Sequence, residues 1–269
     1  MTRVGLEFRH CERHRPYYLK HAQVEILAGE VRQQLVEPDE LALPFKALAG
    51  VTQLKVNGIQ MAVDIDTDHP VHDEAGNPVL GVCEYDPSLP DTALVSVSPV
   101  SEIMQPSLAL STLAHELGHA CFDLPGWIYD AHQGPDLFAE AAPPQRIYRT
   151  ITQDAEHLSQ PSPRDREERF AELRANEFMG SLLVPRIHLR VAATTLAQRM
   201  GIAMLPGPSL HPNFPSVDWY FVSPNEDFFD CLAMQGLYLE LADYFGVSSR
   251  FIEVRLQHYG FITPSNLTH

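Results

Sequence analysis

The sequence is poor in positive charge and in long apolar runs, and each shortage excludes a class of protein. It has 19 Lys and Arg against 35 Asp and Glu, which gives a formal net charge of −16. Phosphate contacts need a basic face, so this balance argues against a general nucleic-acid-binding protein, although it allows one local basic patch. No apolar run approaches the roughly 18 residues that a membrane span needs.

Cysteine is also scarce. The four cysteines are scattered and form no C-x-x-C pair, which is typical of reduced thiols rather than of a disulfide framework. The N-terminal stretch MTRVGLEFRHCERHRPYY is charged and lacks the apolar core of a secretory signal. These features together predict a cytoplasmic protein. A length of 269 residues with 45% hydrophobic residues is enough for one large globular domain or two small ones.

What the sequence does contain is the segment STLAHELGHACFD, in which His115 and His119 stand four apart and Glu116 follows the first. In a chain of this histidine content, chance gives about 0.6 His-x-x-x-His pairs, but only about 0.04 with a glutamate directly after the first histidine. The pair His10 and His14 has the same spacing without that glutamate. We interpret it as a solvated basic stretch.

Helix signals flank the HELGH segment. Pro106 suits a helix start and Pro125-Gly126 suits a stop, and leucines and alanines recur between them at helical spacing. The two histidines then project side by side from one face. Glu116 is turned about 100° away, where it can reach a water on a metal without being a ligand. Gly118 leaves space for a close neighbour, unless the helix merely tolerates it.

A catalytic zinc site usually has three protein ligands and leaves a fourth position to water, so a third ligand must come from elsewhere. The candidates are Asp123, His132, His157, Glu172 and Glu177. Glu172 lies on a second predicted helix, residues 162–185, with Asn176 one turn later to hold the surrounding hydrogen bonds in place. Asp123 would stack along the axis of the first helix, which suits a hydrogen-bond acceptor behind a ligand. Glu177 is the alternative to Glu172.

The chain divides into three predicted parts. Residues 1–49 form an N-terminal helical segment, with an amphipathic helix over 18–35. Residues 50–200 form a metal-binding domain, in which three strands precede the HELGH helix and a proline-punctuated insertion at about 125–164 fits only short helical pieces. Residues 201–269 join a Pro-rich connection to C-terminal helices around the turn FGVSS.

The three strands predict a small, mostly antiparallel sheet and therefore an α+β fold. The last strand, TALVSVS at residues 92–98, is either the sheet edge that holds an extended substrate by strand addition or a plain core strand. The insertion at about 125–164 is either a lid or specificity element, or a surface segment without a catalytic role.

HELGH followed by the second helix resembles the ImmA/IrrE (COG2856-type) metallopeptidases. The second motif has the form E-x-x-A-N-x-F-x-x-x-L-L-x-P and runs from Glu172 to Pro185. The segment LADYFGVSSRFIEVRLQHYGFI resembles the family's trailing unit, which is similar to a helix-turn-helix. The resemblance covers roughly residues 50–124 and 165–262. It implies a zincin-like (gluzincin) core around an HExxH active-site helix.

The resemblance also implies the site and its substrate. One zinc ion would be bound by His115, His119 and Glu172, with Glu116 as the general base of an endopeptidase. The substrate would be a regulatory protein such as a helix-turn-helix repressor. Two features depart from the family: Arg174 stands where members often carry an acid, and the connection between the two motifs is longer than usual.

Several alternatives remain open at this point. Manganese or iron fits the same ligand set, and the oxyanion of peptide hydrolysis needs a further donor. The candidate donors are Tyr148, His157, His188 and His211. The chain could instead be a metal-binding sensory or regulatory protein that binds a protein or DNA without proteolysis, or a hydrolase of a non-protein amide. The acidic C-terminal helices disfavour DNA as the main partner; their plainer role is to complete the core. No feature indicates an oligomeric state.

Overall fold

A computed structural model describes residues 2–133, 145–149, 163–206, 219–222 and 228–263. Over these residues the chain has an α+β fold. Its helices are α1 (His21–Arg32), α2 (Phe45–Ala49), α3 (Pro106–Phe122), α4 (Leu124–His132), α5 (Pro163–Leu183), α6 (Arg186–Met200), α7 (Phe228–Phe245) and α8 (Ser249–His258). Its strands are β1 (Thr2–Leu6), β2 (Val51–Val56), β3 (Ile59–Asp66), β4 (Val71–His72), β5 (Pro78–Val79), β6 (Gly81–Tyr85), β7 (Thr92–Val97), β8 (Gln145–Arg149), β9 (Leu205–Pro206), β10 (Trp219–Val222) and β11 (Ile262–Thr263).

Six of these strands form one mixed sheet, in the order β1-β2-β3-β7-β6-β8. The hairpin β2–β3 turns at Asn57 and Gly58, which both have positive φ, as a tight hairpin turn requires. β1 is parallel to β2 and β3 is parallel to β7, whereas β6 is antiparallel to both of its neighbours. The sheet is therefore mixed and larger than the small, mostly antiparallel sheet that the sequence predicts.

The two outer strands were not foreseen from the sequence. β1 lies in the charged N-terminal stretch and buries only Val4 and Leu6 fully, so its apolar signal is short. It places part of the predicted helical segment 1–49 in the sheet. β8, with the sequence QRIYR, lies in the insertion for which only helical pieces were predicted. A strand at the rim of a sheet has little apolar surface to bury, which is why its sequence looks like a polar loop.

Of the two alternatives for residues 92–98, the core strand is confirmed and the sheet edge is excluded. β7 lies between β3 and β6 and forms backbone pairs with both. The alternation of its sequence reflects this central position, because every second residue is buried in the core: Ala93, Val95 and Val97.

α3 is the central helix of the fold. It packs on β6, β7 and α5 and is buried from Ala109 to Phe122. Pro106 stands in its first turn, as predicted. The predicted stop does not act as one, because Pro125 and Gly126 lie in the first turn of α4; α3 ends at Phe122, and Asp123 joins the two helices.

Helices α1 and α8 both contact α5. α1 packs along this helix, and Arg255 of α8 donates to Glu177 Oε1 at 3.0 Å and to Ser181 Oγ at 3.1 Å. The guanidinium lies over Gly180, where a side chain would collide with it. The predicted C-terminal helices are thus held on the core by a buried ion pair. Among the described residues, no helix is both long and apolar enough to cross a membrane.

Gly180→Ala is expected to lower the free energy of unfolding by about 1–3 kcal/mol, because the added methyl displaces the buried Arg255 guanidinium. Urea unfolding measures this change. Gly29→Ala on α1 is the matched control: no atom lies within 4 Å of the added Cβ, so the change should stabilise the helix by roughly 0.5–1 kcal/mol. Equal effects of the two substitutions would contradict the assigned role of Gly180.

Candidate metal centre

The two histidines of the HELGH segment converge in the interior. The exposed fractions of His115 and His119 are 1% and 0%, and their Nε2 atoms lie 3.1 Å apart. The rings meet edge to face, with centroids 4.8 Å apart. The apolar residues of α3 pack this helix into the core. Because His115 and His119 stand four residues apart, their side chains lie next to each other on one face of the helix, and their nitrogens face the same point.

Glu172 of α5 reaches the same point from the opposite side. Its Oε2 lies 3.4 Å from His115 Nε2, and its Oε1 lies 3.3 Å from His119 Nε2. The carboxylate is one-third exposed, so the group is open to solvent on the side of Glu172. The structure therefore brings together the three residues that the sequence analysis assigns as ligands.

These three side chains fit a divalent cation. A tetrahedral ion with bonds of 2.0–2.1 Å holds neighbouring donor atoms about 3.3 Å apart. The two Nε2 atoms lie 3.1 Å apart, and each faces a different oxygen of Glu172: His119 Nε2 lies 3.3 Å from Oε1 and His115 Nε2 lies 3.4 Å from Oε2. Two neutral imidazoles and one carboxylate are also the ligand types that zinc takes in catalytic sites. The group could thus hold a metal ion, and its chemistry does not select zinc over manganese or iron.

Gly118 fixes the distance between the two helices. A Cβ at this position would lie 3.2 Å from Ala175 Cα and 3.2 Å from the Phe178 ring, so α5 packs directly on the α3 backbone. The expectation that Gly118 makes room for a close neighbour is confirmed. That close approach is what allows the short side chain of Glu172 to reach the paired imidazoles.

Asp123 lies behind His119, as the sequence analysis expects of an acceptor. Its Oδ2 is 2.8 Å from His119 Nδ1, which favours the tautomer that leaves Nε2 to face a cation. Arg174, the residue that departs from the family pattern, donates to the other oxygen of Asp123 and lies over the Phe122 ring. Burial raises the pKa of Asp123, but Arg174 and His119 outweigh it and the pKa is lowered.

The charges around the group keep its carboxylates ionised. Burial alone would raise the pKa of Glu172, but its contacts with His115 and His119 lower it well below the ordinary value. Burial likewise opposes a charge on His119, yet its contacts with Asp123 and Glu172 raise its pKa to about 10. A proton on His119 therefore competes with any cation that these residues bind.

Glu116 is fully buried beside the sheet. A Cβ on Gly81 of β6 would lie 3.1 Å from Glu116 Oε1, so this glycine gives the carboxylate its space. Burial, followed by the charge of Glu116, raises the pKa of Cys83 on the same strand. Glu116 thus lies one residue from the His115 ligand position, between α3 and β6.

The remaining predicted residues lie at different places. Asn176 lines the cleft beside Glu172, whereas His132 is half exposed near Asp91 on the far end of α4. His188 lies near Arg32, and burial followed by that positive charge lowers its pKa. Tyr148 belongs to β8 opposite Val82, and its side chain lies outside the described residues. His157 and His211 also lie outside the described residues.

A cleft of about 2070 Å³ lies over the candidate ligands His115 and Glu172. His115 and Glu172 line it, together with Arg146 and Ile147 of β8 and residues of α8. The N-terminal loop supplies one wall, where Tyr18 is 71% exposed and meets the Phe170 ring of α5 edge to face. The helix predicted over 18–35 begins only at His21, so Tyr18, which was expected in that helix, belongs to this loop instead.

No family model matches the chain, and a search of curated proteins found no matching sequence. The likeness to the ImmA/IrrE metallopeptidases therefore rests only on the motifs described under the sequence analysis.

The affinity for Zn²⁺ is expected to rise with pH between about 6 and 9. The raised pKa of His119 means that a proton must leave when the cation binds, so affinity should gain up to about tenfold per pH unit. Titrations against a competing chelator at several pH values measure the slope. An affinity that does not change with pH between about 6 and 9 would contradict the competition.

Asp123→Asn is expected to weaken Zn²⁺ binding by about 10–100-fold, because His119 loses the carboxylate that fixes its tautomer. Asp130→Asn is the matched control, since it removes the same charge from the cleft wall without touching a ligand. The same chelator competition measures both. Equal affinities of the two variants would rule out the positioning role of Asp123.

Proposed function

We propose that the chain is a zinc-dependent endopeptidase of the zincin type. The observation that carries the proposal is the convergence of three groups at one point: two imidazoles of α3 and one carboxylate of α5, within 3.4 Å of one another, beneath a cleft of about 2070 Å³. A cleft of this size accommodates several residues of an extended peptide. The substrate would be a regulatory protein of the cytoplasm, such as a helix-turn-helix repressor, and this last step rests on the motif resemblance alone.

His115, His119 and Glu172 would hold the cation, and Asp123 would keep the His119 ring in place. When bound, such a cation lowers the pKa of a coordinated water towards about 7 and polarises a carbonyl oxygen. Glu116 acts as the general base: it accepts the proton of the attacking water and returns it to the leaving amine. Its position directly after the His115 ligand, between α3 and β6, favours this role.

The substrate is proposed to bind along β8. This strand is the last of the sheet among the described residues, and its Arg146 and Ile147 line the cleft. An extended segment can add to such an edge through backbone hydrogen bonds, the role first considered for residues 92–98. Tyr148 on the same strand remains the candidate oxyanion donor. On this proposal the insertion at about 125–164 has a binding role.

The opposite wall suits an apolar segment of the substrate. Tyr18, Phe170 and Leu173 are large apolar residues of the cleft that are about half exposed or more. Exposed apolar surface inside a cleft is typical of a binding surface. The specificity expected is therefore for an unfolded segment with apolar side chains near the cut peptide bond.

Glu116→Gln is expected to bind Zn²⁺ with unchanged stoichiometry but to lower peptide cleavage by about 10²–10⁴-fold, because it removes the proton acceptor alone. Cleavage of a peptide library derived from a whole proteome, followed by mass spectrometry of new N-termini, measures activity without a known substrate. Glu167→Gln, on the cleft rim, is the matched control and should cleave as the wild type does.

The outcome also separates the two main functions. Peptides cut by the wild type and the Glu167→Gln control, but not by Glu116→Gln, support the endopeptidase. If the zinc-loaded wild type cuts no peptide, or if Glu116→Gln cuts as well as the wild type, the proteolytic proposal fails. The protein would then be assigned as a metal-binding regulatory protein that acts without proteolysis.

A further inference from the structure

A second cluster of imidazoles and carboxylate lies in the same cleft. It consists of His21, Glu177 and His258, contributed by α1, α5 and α8, and all three line the cleft. His21 Nδ1 lies 2.8 Å from Glu177 Oε2, and His258 Nε2 lies 2.5 Å from the same oxygen. Two ring nitrogens from opposite ends of the chain are thus aimed at one carboxylate oxygen.

The arrangement repeats that of the first group. The His21 and His258 rings meet edge to face with centroids 5.1 Å apart and planes at 67°, against 4.8 Å and 73° for His115 and His119. In both groups the carboxylate comes from α5. These are the two sets of His, Cys, Asp and Glu whose donor atoms lie close enough to hold a metal ion in the described part of the chain.

The other oxygen of Glu177 is fixed by separate partners. Ser181 Oγ donates to Oε1 at 2.8 Å and Arg255 Nη2 donates to it at 3.0 Å. The carboxylate is 3% exposed, so it cannot turn without losing these bonds. Outer hydrogen bonds of this kind orient a metal-binding carboxylate. They leave Oε2 to face the two imidazoles.

We propose that His21 Nδ1, His258 Nε2 and Glu177 Oε2 form a second binding site for a zinc-class divalent cation. Imidazole nitrogens with a single carboxylate oxygen suit Zn²⁺ better than Mg²⁺ or Ca²⁺, which take oxygen ligands. The fourth position opens to the cleft, because the side chains of His21 and His258 are 31% and 24% exposed. The site is independent of the proposed proteolysis.

Binding requires a small shift of both histidines. The donor separations of 2.5 and 2.8 Å must widen to about 3.3 Å around a tetrahedral ion, by about 0.8 Å for His258 and about 0.5 Å for His21. His21 is the first residue of α1 and His258 is the last of α8, so each ring stands at a helix end, where such a shift leaves the rest of the helix in place. The cation would then fasten the start of α1 and the end of α8 to α5.

The second site is expected to be the weaker of the two. Arg255 places a buried positive charge on the same carboxylate, and a like charge lowers cation affinity. Glu172 instead contacts the paired imidazoles with both of its oxygens. Titration of the metal-free protein with Zn²⁺ should therefore fill the first site before the second.

The test counts bound Zn²⁺ in metal-free full-length protein, by competition with a chromophoric chelator and by elemental analysis. The wild type should bind two equivalents with different affinities. His21→Asn and His258→Gln each keep an amide N–H at the position of the ring nitrogen, so the hydrogen bonds to Glu177 survive while the metal ligand is lost. Each variant should bind one equivalent. The control His72→Gln alters an exposed histidine of β4 and should still bind two.

A second measurement isolates the site from the first. In Glu172→Gln only the weaker site should remain, and excess Zn²⁺ should still raise the melting temperature. That shift should vanish in Glu172→Gln combined with His258→Gln. One equivalent in the wild type, or two in His258→Gln, would overturn the second site and leave a hydrogen-bonded clamp in its place. Loss of only the tighter equivalent in Glu172→Gln keeps the two sites distinct.

Discussion

The close packing of α5 on α3 at Gly118 is the contact on which the rest of the candidate chemistry depends. α3 brings two imidazoles into the core, but a third ligand must reach them from a second element. With no side chain at Gly118, the backbone of α5 at Ala175 lies within van der Waals distance, and Glu172 then stands beside both rings. The same helix supplies Arg174 to Asp123, so one helix-to-helix distance sets both contacts. Glu177, also on α5, meets α1 and α8 instead.

Two acid–arginine pairs in the interior have the same arrangement of partners. Asp123 accepts from Arg174 with one oxygen and meets His119 with the other, and Glu177 accepts from Arg255 with one oxygen and meets two histidines with the other. A buried carboxylate without a partner would take up a proton. The arginine keeps it ionised, and the second oxygen is then a strong acceptor for an imidazole. Each carboxylate therefore stays charged in the interior because an arginine is paired with it, and each arginine stays charged because of the carboxylate.

Local signals in the sequence were enough for α3, for α5 and for the pairing of His115 with His119. They did not predict α4 or α6, and Glu172 was singled out among the candidates by the motif resemblance. The four-residue spacing of the histidines, the apolar stripe of α3 and the Pro185 that follows α5 depend only on neighbours along the chain. The outer strands β1 and β8 form only by pairing with strands about 50 and 65 residues away. The short sequences TRVGL and QRIYR contain no pattern that indicates such a partner. The same reason hides His21 and His258: each is an ordinary polar residue until the fold brings both to Glu177. Arg174 looked like a departure from a motif and has a partner only because Asp123 ends α3.

The central claim is that His115, His119 and Glu172 bind one divalent cation directly. Crystals of the zinc-loaded protein, with anomalous diffraction collected on both sides of the zinc absorption edge, test it without reference to activity. The account predicts a peak with bonds of about 2.0–2.2 Å to both Nε2 atoms and to a Glu172 oxygen, and with solvent or substrate at the remaining position. A fully loaded crystal whose anomalous peak lies away from the paired imidazoles, with Glu172 in a hydrogen bond to their rings, would contradict it.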